Sequence, residues 1–156
     1  MTEFATPSEL HAAFDALLAR THRQLRVYDP DLSLLDLDHL PRHAALRALC
    51  VAGSGHRIEL LLDNIHHLSR DCPRLMQLLR DFSHVLEIRQ ADPDAPRPDQ
   101  AFAVADHHSA LIRADKTALR GALYMDDPSR TVNLHQSFEA MWQRAQTHVS
   151  ATTLGL

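Results

Sequence analysis

The chain has 156 residues, 45% of them hydrophobic and 23% charged, with a formal net charge of −4 and a pI near 6.3. That length holds one domain with a real core and is too short for two comfortable ones. Fifteen arginines and a single lysine lie scattered without a basic stripe, which argues against a nucleic-acid binder, and no stretch approaches the roughly 18 uninterrupted apolar residues of a membrane span.

Residues 1–10, MTEFATPSEL, show no basic segment followed by an apolar run, so a signal peptide is not expected and a cytoplasmic protein is the simplest reading. Cys50 and Cys72 form no Cys-x-x-Cys pair, which leaves no disulfide framework and no cysteine zinc site. Thr6-Pro7-Ser8-Glu9 is a capping box with proline at the first helical position, and Leu10, Phe14, Leu17 and Leu18 follow at helical spacing. A helix over 7–22 is expected, with Arg20, Arg23 and Arg26 complementing its C-terminal dipole. QLRVYD (24–29) reads as a strand stopped by Asp29-Pro30-Asp31, and a second helix runs from about Pro41 to Ala52, closed by Gly53-Ser54-Gly55.

RIELLL (57–62) reads as a strand buried on both faces of a parallel sheet. His66-His67 lies in a loop-like stretch, and a third helix after Asp71 buries Leu75, Leu78, Leu79 and Phe82. HVLEIRQ (84–90) is the next strand, followed by a loop with three prolines in ADPDAPRPD. AFAVAD (101–106) and SALIR (109–113) make a hairpin, and RGALYM (120–125) makes another strand. Asp127-Pro128 opens a last helix with Leu134, Phe138, Met141, Trp142 and Ala145 on one stripe. Alternating strands and helices, then clustered strands and a closing helix, predict a single α/β domain with a mixed sheet flanked by helices. Its segments are an N-terminal helix over 1–23 packed on the domain, the α/β body over 24–148 and a frayed tail over 149–156.

Asp106-His107-His108 offers an acid and two histidines at a strand end, and YDPDLS (28–33) supplies an Asp-x-Asp upstream, the pair of motifs used by Asp-His-His phosphoesterases. That family spans two domains, and adjacent residues on a strand point to opposite faces, so both histidines could share a metal only where the strand has ended. A metal needs three or four convergent ligands. No metal and no other cofactor is therefore expected. AGSGH (52–56) lies at a helix-to-strand junction, where glycines cap a helix and do not form a nucleophile elbow. Cys50 falls on a helical stripe; Cys72 stands near a helix N-terminus, a position that can lower a thiol pKa.

The element order from about residue 20 to 146, with DQAFAVADHHSALIR, RGALYMDDP and LHQSFEAMWQRA, resembles the phospholipase D-like superfamily. There a strand carries His-x-Lys-x-x-x-x-Asp, the next carries Gly-Ser-x-Asn, and a helix with Phe-x-x-x-Trp follows; Phe138 and Trp142 match that helix. With Asp106 as the motif aspartate, Asp99 stands at the histidine position and Ala101 at the lysine position. Arg113, Ala114 and Lys116 stand where the glycine, serine and asparagine would be. The resemblance implies a phospholipase D-like mixed sheet whose nucleophile and phosphate clamp are gone, since aspartate cannot replace an attacking imidazole and alanine carries no charge. Asp99, Ala101 and Asp106 are then vestigial motif positions, and Arg113 and Lys116 are candidates for anion binding near the old phosphate pocket.

Domains of this kind resemble small bacterial domains that occur alone or joined to acetyltransferases, and ligand-sensing domains of some regulators. The implied role is a non-enzymatic regulatory, interaction or dimerisation module. The alternatives are an anion or nucleotide sensor and the metal-dependent phosphoesterase using Asp106, His107 and His108. A homodimer is expected, with the 99–116 region at or near its interface.

Overall fold

Residues 57–62, RIELLL, form an inner strand of one eight-stranded mixed sheet, with Ile58, Leu60, Leu61 and Leu62 buried. The computed structural model describes residues 1–53, 55–145 and 147–149. In chain order the elements are β1 (Thr2–Phe4), α1 (Pro7–Ala19), β2 (Gln24–Asp29), α2 (Leu40–Ala52), β3 (Arg57–Leu62), α3 (His66–Asp71), α4 (Pro73–Asp81) and β4 (Leu86–Gln90). They continue with β5 (Ala101–Ala105), β6 (Ser109–Arg113), β7 (Gly121–Tyr124), α5 (Pro128–Arg144) and β8 (Thr147–Val149). Across the sheet the strands run β1-β7-β6-β5-β2-β3-β4-β8. β2, β3 and β4 are parallel, joined through helices, and every other pairing is antiparallel.

Both faces of the sheet are covered near its centre, which is why β5 reads as a continuous apolar run and β3 as one interrupted only by Glu59 after its first residue. One face carries α1 to α4 over Leu10, Phe14, Leu25, Leu60 and Ile88; the other carries α5 over Tyr28, Leu61, Phe102 and Val104. The capping box forms as expected: Thr6 accepts from the Glu9 N–H, and the Glu9 carboxylate accepts from the Ala5 N–H. Gly53 closes α2 at φ 93°, a left-handed-side conformation that favours glycine. Gly121 is required for a different reason, because a Cβ there would sit 2.3 Å from the Ile112 carbonyl and 2.5 Å from the Phe4 ring.

Several expectations shift. The first helix stops at Ala19 and not at residue 22, and Arg26 lies inside β2; Arg20 pairs with Asp126 and Arg26 with Glu59 and Glu139, so for these two the dipole explanation gives way to specific ion pairs. The N-terminal segment is more than a docked helix, because Thr2–Phe4 adds an antiparallel edge strand to β7. His66 and His67 belong to α3 rather than a loop, anchored by buried Leu68. The strand expected from residue 84 begins at Leu86. Asp127 occupies the cap position of α5 but spends its carboxylate on the Ser129 and Arg130 side chains. At the other end, Val149 is buried in β8 against Ile88, not in a frayed tail; residues 150–156 lie outside the described residues.

Candidate functional site

The parallel strands β2, β3 and β4 end together, and in open α/β sheets that end is where ligands are usually met. β5 runs antiparallel to β2, with Tyr28 opposite Phe102, so Ala101 starts where Asp29 ends. Ala101 in turn pairs with Arg113 at the close of β6. Three of the residues marked in the sequence therefore meet at this pole: Ala101, Arg113 and, through its N–H to the Asp99 carbonyl at 2.7 Å, Lys116. Asp99 itself is exposed, and Ala101 is buried.

The pole is filled with charge held in pairs. Arg113 is 1% exposed and forms an ion pair with Asp29, itself nearly sealed. Its other nitrogen donates to the Lys116 and Ala118 carbonyls at 3.1 and 2.7 Å. Asp29 also accepts from the Leu32 and Asp31 N–H groups, which fixes the turn that follows β2. Burial pushes the Asp29 carboxyl up, and the Arg113 guanidinium and those N–H groups pull the other way. Arg113 is thus consumed by the fold and has no face for an external anion, contrary to the sequence-based expectation.

Beside this pair lies a second, more open one. Asp63, just past the end of β3, accepts from the Tyr28 hydroxyl at 2.8 Å and pairs with Lys116 at 2.9 Å and Arg97 at 3.1 Å. Lys116 also donates to the Tyr28 oxygen at 2.8 Å. Burial first, and then the bond to Asp63, pushes the Tyr28 hydroxyl far above its ordinary range, so it stays a donor. Arg97 reaches in from the proline-rich loop. Asp29 was marked in the sequence only as part of the Asp-x-Asp of residues 28–33, and Asp63, Tyr28 and Arg97 were not marked as site residues. The available signal was an aspartate at the C-terminal end of each of two parallel strands, Asp29 closing β2 and Asp63 following β3.

Asp106, the motif aspartate, lies at the opposite end of β5. Its φ is 52°, and its carboxylate accepts three backbone N–H groups, from His22, Arg23 and Gln24, at 2.8 to 2.9 Å. Burial raises its pKa, but those three bonds outweigh burial and leave it below the usual carboxylate range. It is a bracket for the start of β2. His107 faces His135, with ring centroids 5.0 Å apart, while His108 bonds Ser109 at 2.6 Å and lies 3.4 Å from Asp106. Among the described residues no three His, Cys, Asp or Glu side chains are grouped to hold a metal. Cys72 differs from expectation: burial and then nearby aspartates push its thiol up to about 12, so the helix start does not activate it.

Comparison with solved structures places this architecture. TrmBL2, an archaeal chromatin protein with a novel mode of DNA binding, superposes with a TM-score of 0.65 at 13% identity over 92% of this chain and 52% of its own. NucT from Helicobacter pylori gives 0.58 at 13% identity, covering 92% of this chain and 96% of that one. Phosphatidylserine synthase from Haemophilus influenzae Rd KW20 gives 0.63 at 14% identity over 95% of this chain and 38% of its own. This chain thus spans about half of the chromatin protein and less of the synthase. No curated protein sequence matches it. The fold is the phospholipase D-like mixed sheet flanked by helices, in a single domain. Among the described residues no helix is long and apolar enough to cross a membrane. Residues 6–154 match one family over nearly the whole chain, and the protein belongs to it: the domain of unknown function DUF7931.

Proposed function

We propose that this protein is a non-enzymatic regulatory or interaction module, a phospholipase D-like domain whose catalytic pole has been rebuilt as an ion-pair network. The observation that carries the reading is the pole itself. Asp99 and Ala101 stand where nucleophile and clamp belong, and Arg113 and Lys116 hold Asp29 and Asp63. Among the described residues, His107 and His108 sit at the other end of β5 from Asp99 and Ala101, away from the position a nucleophile would take. Its partners are a second copy of the chain, a protein partner, or an acetyltransferase-type domain joined to relatives. The acidic balance and dispersed arginines speak against nucleic acid, although TrmBL2 binds it.

Turnover of a bis-aryl phosphate tests this. Wild type should match buffer and match a Lys116→Met variant. A rate that disappears in Lys116→Met would show a working phosphodiesterase. The metal-dependent reading through Asp106, His107 and His108 has its own check: purified protein holding about one metal per chain, lost in His107→Ala, would restore it. A second reading, an anion sensor, is favoured by one feature: Lys116 and Arg97 meet at the partly open rim of the pole.

A further inference from the structure

The topology sorts charge between the two ends of the sheet. At the end where β2, β3 and β4 finish, the connections 30–39, 63–65, 91–100 and 114–120 carry eight aspartates against Arg97, Lys116 and Arg120. The connections at the other end, 20–23, 55–56, 82–85, 106–108 and 125–127, carry three aspartates, Arg20, Arg23 and five of the chain's twelve histidines. Those five, His22, His56, His84, His107 and His108, form a row. β5, β2, β3 and β4 are neighbours in the sheet, so the turns at their ends lie side by side. Backbone bonds tie one turn to the next: Asp106 N–H to the Gln24 carbonyl at 2.8 Å, Arg57 N–H to the Arg23 carbonyl at 2.8 Å, and Ile58 N–H to the Val85 carbonyl at 2.9 Å. The His22 and His108 rings stand 6.4 Å apart, and Arg57 donates to the His84 carbonyl at 3.3 Å. Three strand spacings make the row about 14 Å long.

The acids at this end are already engaged. Asp126 pairs with Arg20, Asp127 with Arg130, and the Asp106 carboxylate accepts the three N–H groups at the entry to β2. Asp81, at the end of α4, accepts from the Gln77 amide. Behind the row, Glu59 and Glu87 pair with Arg57, Glu139 pairs with Arg26, and His135 faces His107 and bonds the Asp106 carbonyl. Among the described residues only His108 of the five has a carboxylate in ion-pair range, Asp106 at 3.4 Å. His22, His84 and His107 are exposed, as is Arg23, which has no ion pair among the described residues. With neutral rings this end is close to balanced. With charged rings it is a cationic strip whose own acids are committed elsewhere, and histidine is the side chain that passes between those states from pH 8 to 5.

We propose that this histidine row is a docking face for an acidic segment of a protein partner, engaged when its rings carry charge. The proposal rests on the interaction-module reading and names the partner's chemistry. An extended segment of about four residues spans the row, with carboxylates answering the rings from turn to turn. Nucleic acid fits less well, because its affinity comes from fixed cations and only Arg23 is uncommitted in these turns. The contacts are solvent-exposed ion pairs, so the docking is reversible and weakens as salt rises.

Calorimetric titration of a ten-residue poly-aspartate peptide into the whole protein, at pH 7.5 and 6.0 and constant ionic strength, tests this. Aspartate stays ionised at both values. Three or four exposed pairs, each worth a factor of about two, should tighten binding about tenfold at pH 6.0. The pI near 6.3 lets the net charge of the whole chain rise over the same range, so the control removes two exposed histidines from the opposite end. The gain should be largely lost in His22→Gln/His84→Gln and kept in His39→Gln/His66→Gln. No gain in wild type overturns the proposal, as does an equal loss in the two variants. Should His22→Gln/His84→Gln fail to fold, amide NMR of wild type with peptide at pH 6.0 decides the matter. Shifts centred on His22, His84 and His107 support the row, and any other pattern overturns it. Growth of the protein's own mass between pH 7.5 and 6.0 without peptide would make a second copy's aspartate-rich end the occupant and overturn the separate partner. Failure here with no turnover leaves the interaction module standing; turnover lost in Lys116→Met removes that reading instead.

Discussion

Arg113 shows how a single side chain decides what the pole can do. A guanidinium 1% exposed, paired with a buried carboxylate and two carbonyls, is stable only while every partner is present. Arg113→Met should therefore destabilise the protein by about 3–5 kcal/mol, since Asp29 would remain as a buried unpaired charge. Adding Asp29→Asn should recover most of that loss in urea denaturation; a recovery of nothing would mean that the pair is not the source. His135 works in the opposite sense. Its Nε2–H donates to the Asp106 carbonyl at 2.7 Å and its Nδ1 accepts from Arg26 at 3.4 Å, which suits the neutral ring. Burial lowers its pKa, and Arg26 and His107 act in the same direction, against the bond to Asp106. The unfolded chain then binds more protons than the native one as pH falls below about 6.5, so stability present above that pH is lost on acidification. His43, lowered by burial, adds to the same window. Denaturation midpoints at pH near 7.5 and 5.5 should differ for wild type and differ less for His135→Gln, which keeps a donor for Asp106. Identical slopes in the two proteins would contradict this assignment.

Elements report on how α5 is fastened. Its stripe of Leu134, Phe138, Met141 and Trp142 closes the second core, with Trp142 stacked on Phe138 at 5.4 Å and Arg89 4.2 Å above the indole. A polar ladder locks it in place: Arg26 pairs with both Glu59 and Glu139, and Arg89 donates to the Trp142 carbonyl. Trp142→Ala should cost about 3–5 kcal/mol, and an unchanged midpoint would mean that the stripe does not carry the core. Elements of this kind were legible in the sequence because they repeat a signal. β2 and β3 match the expected bounds, and the α5 stripe faces the core as its spacing requires. β1 and β8 were missed because three-residue edge strands have no period to read, and α3 because it buries only Leu68. The site was harder for a related reason. An aspartate after a strand looks like a turn residue until the fold brings Arg113 from 84 positions away, or Lys116 from 88 positions beyond Tyr28. Motif spacing found Arg113 and Lys116, but not that their charges were already spent.

At the scale of the molecule, the pole and the corner of β6 and β7 beside it are the surface through which a module of this kind would meet a partner. A shallow groove there is lined by Ile112, Ala114, Ala118, Ala122 and Tyr124. A homodimer is proposed with this region at or near its interface, and light scattering should give twice the 17.6 kDa chain mass. A clean monomer would end the idea. Ala101 cannot test the interface because it is buried, whereas exposed Ala114 can: Ala114→Arg should shift the dimer toward monomer. The central claim, that the cations of the pole are committed to the protein's own carboxylates, has a direct test because Lys116 is the only lysine in the chain. Protein labelled with 15N-lysine has one side-chain ammonium resonance. Held by Asp63 and Tyr28, its protons should exchange slowly enough to be seen near neutral pH in wild type and should be lost to exchange in Asp63→Asn. An ammonium that exchanges in wild type as fast as that of a fully solvated lysine would contradict the closed pole.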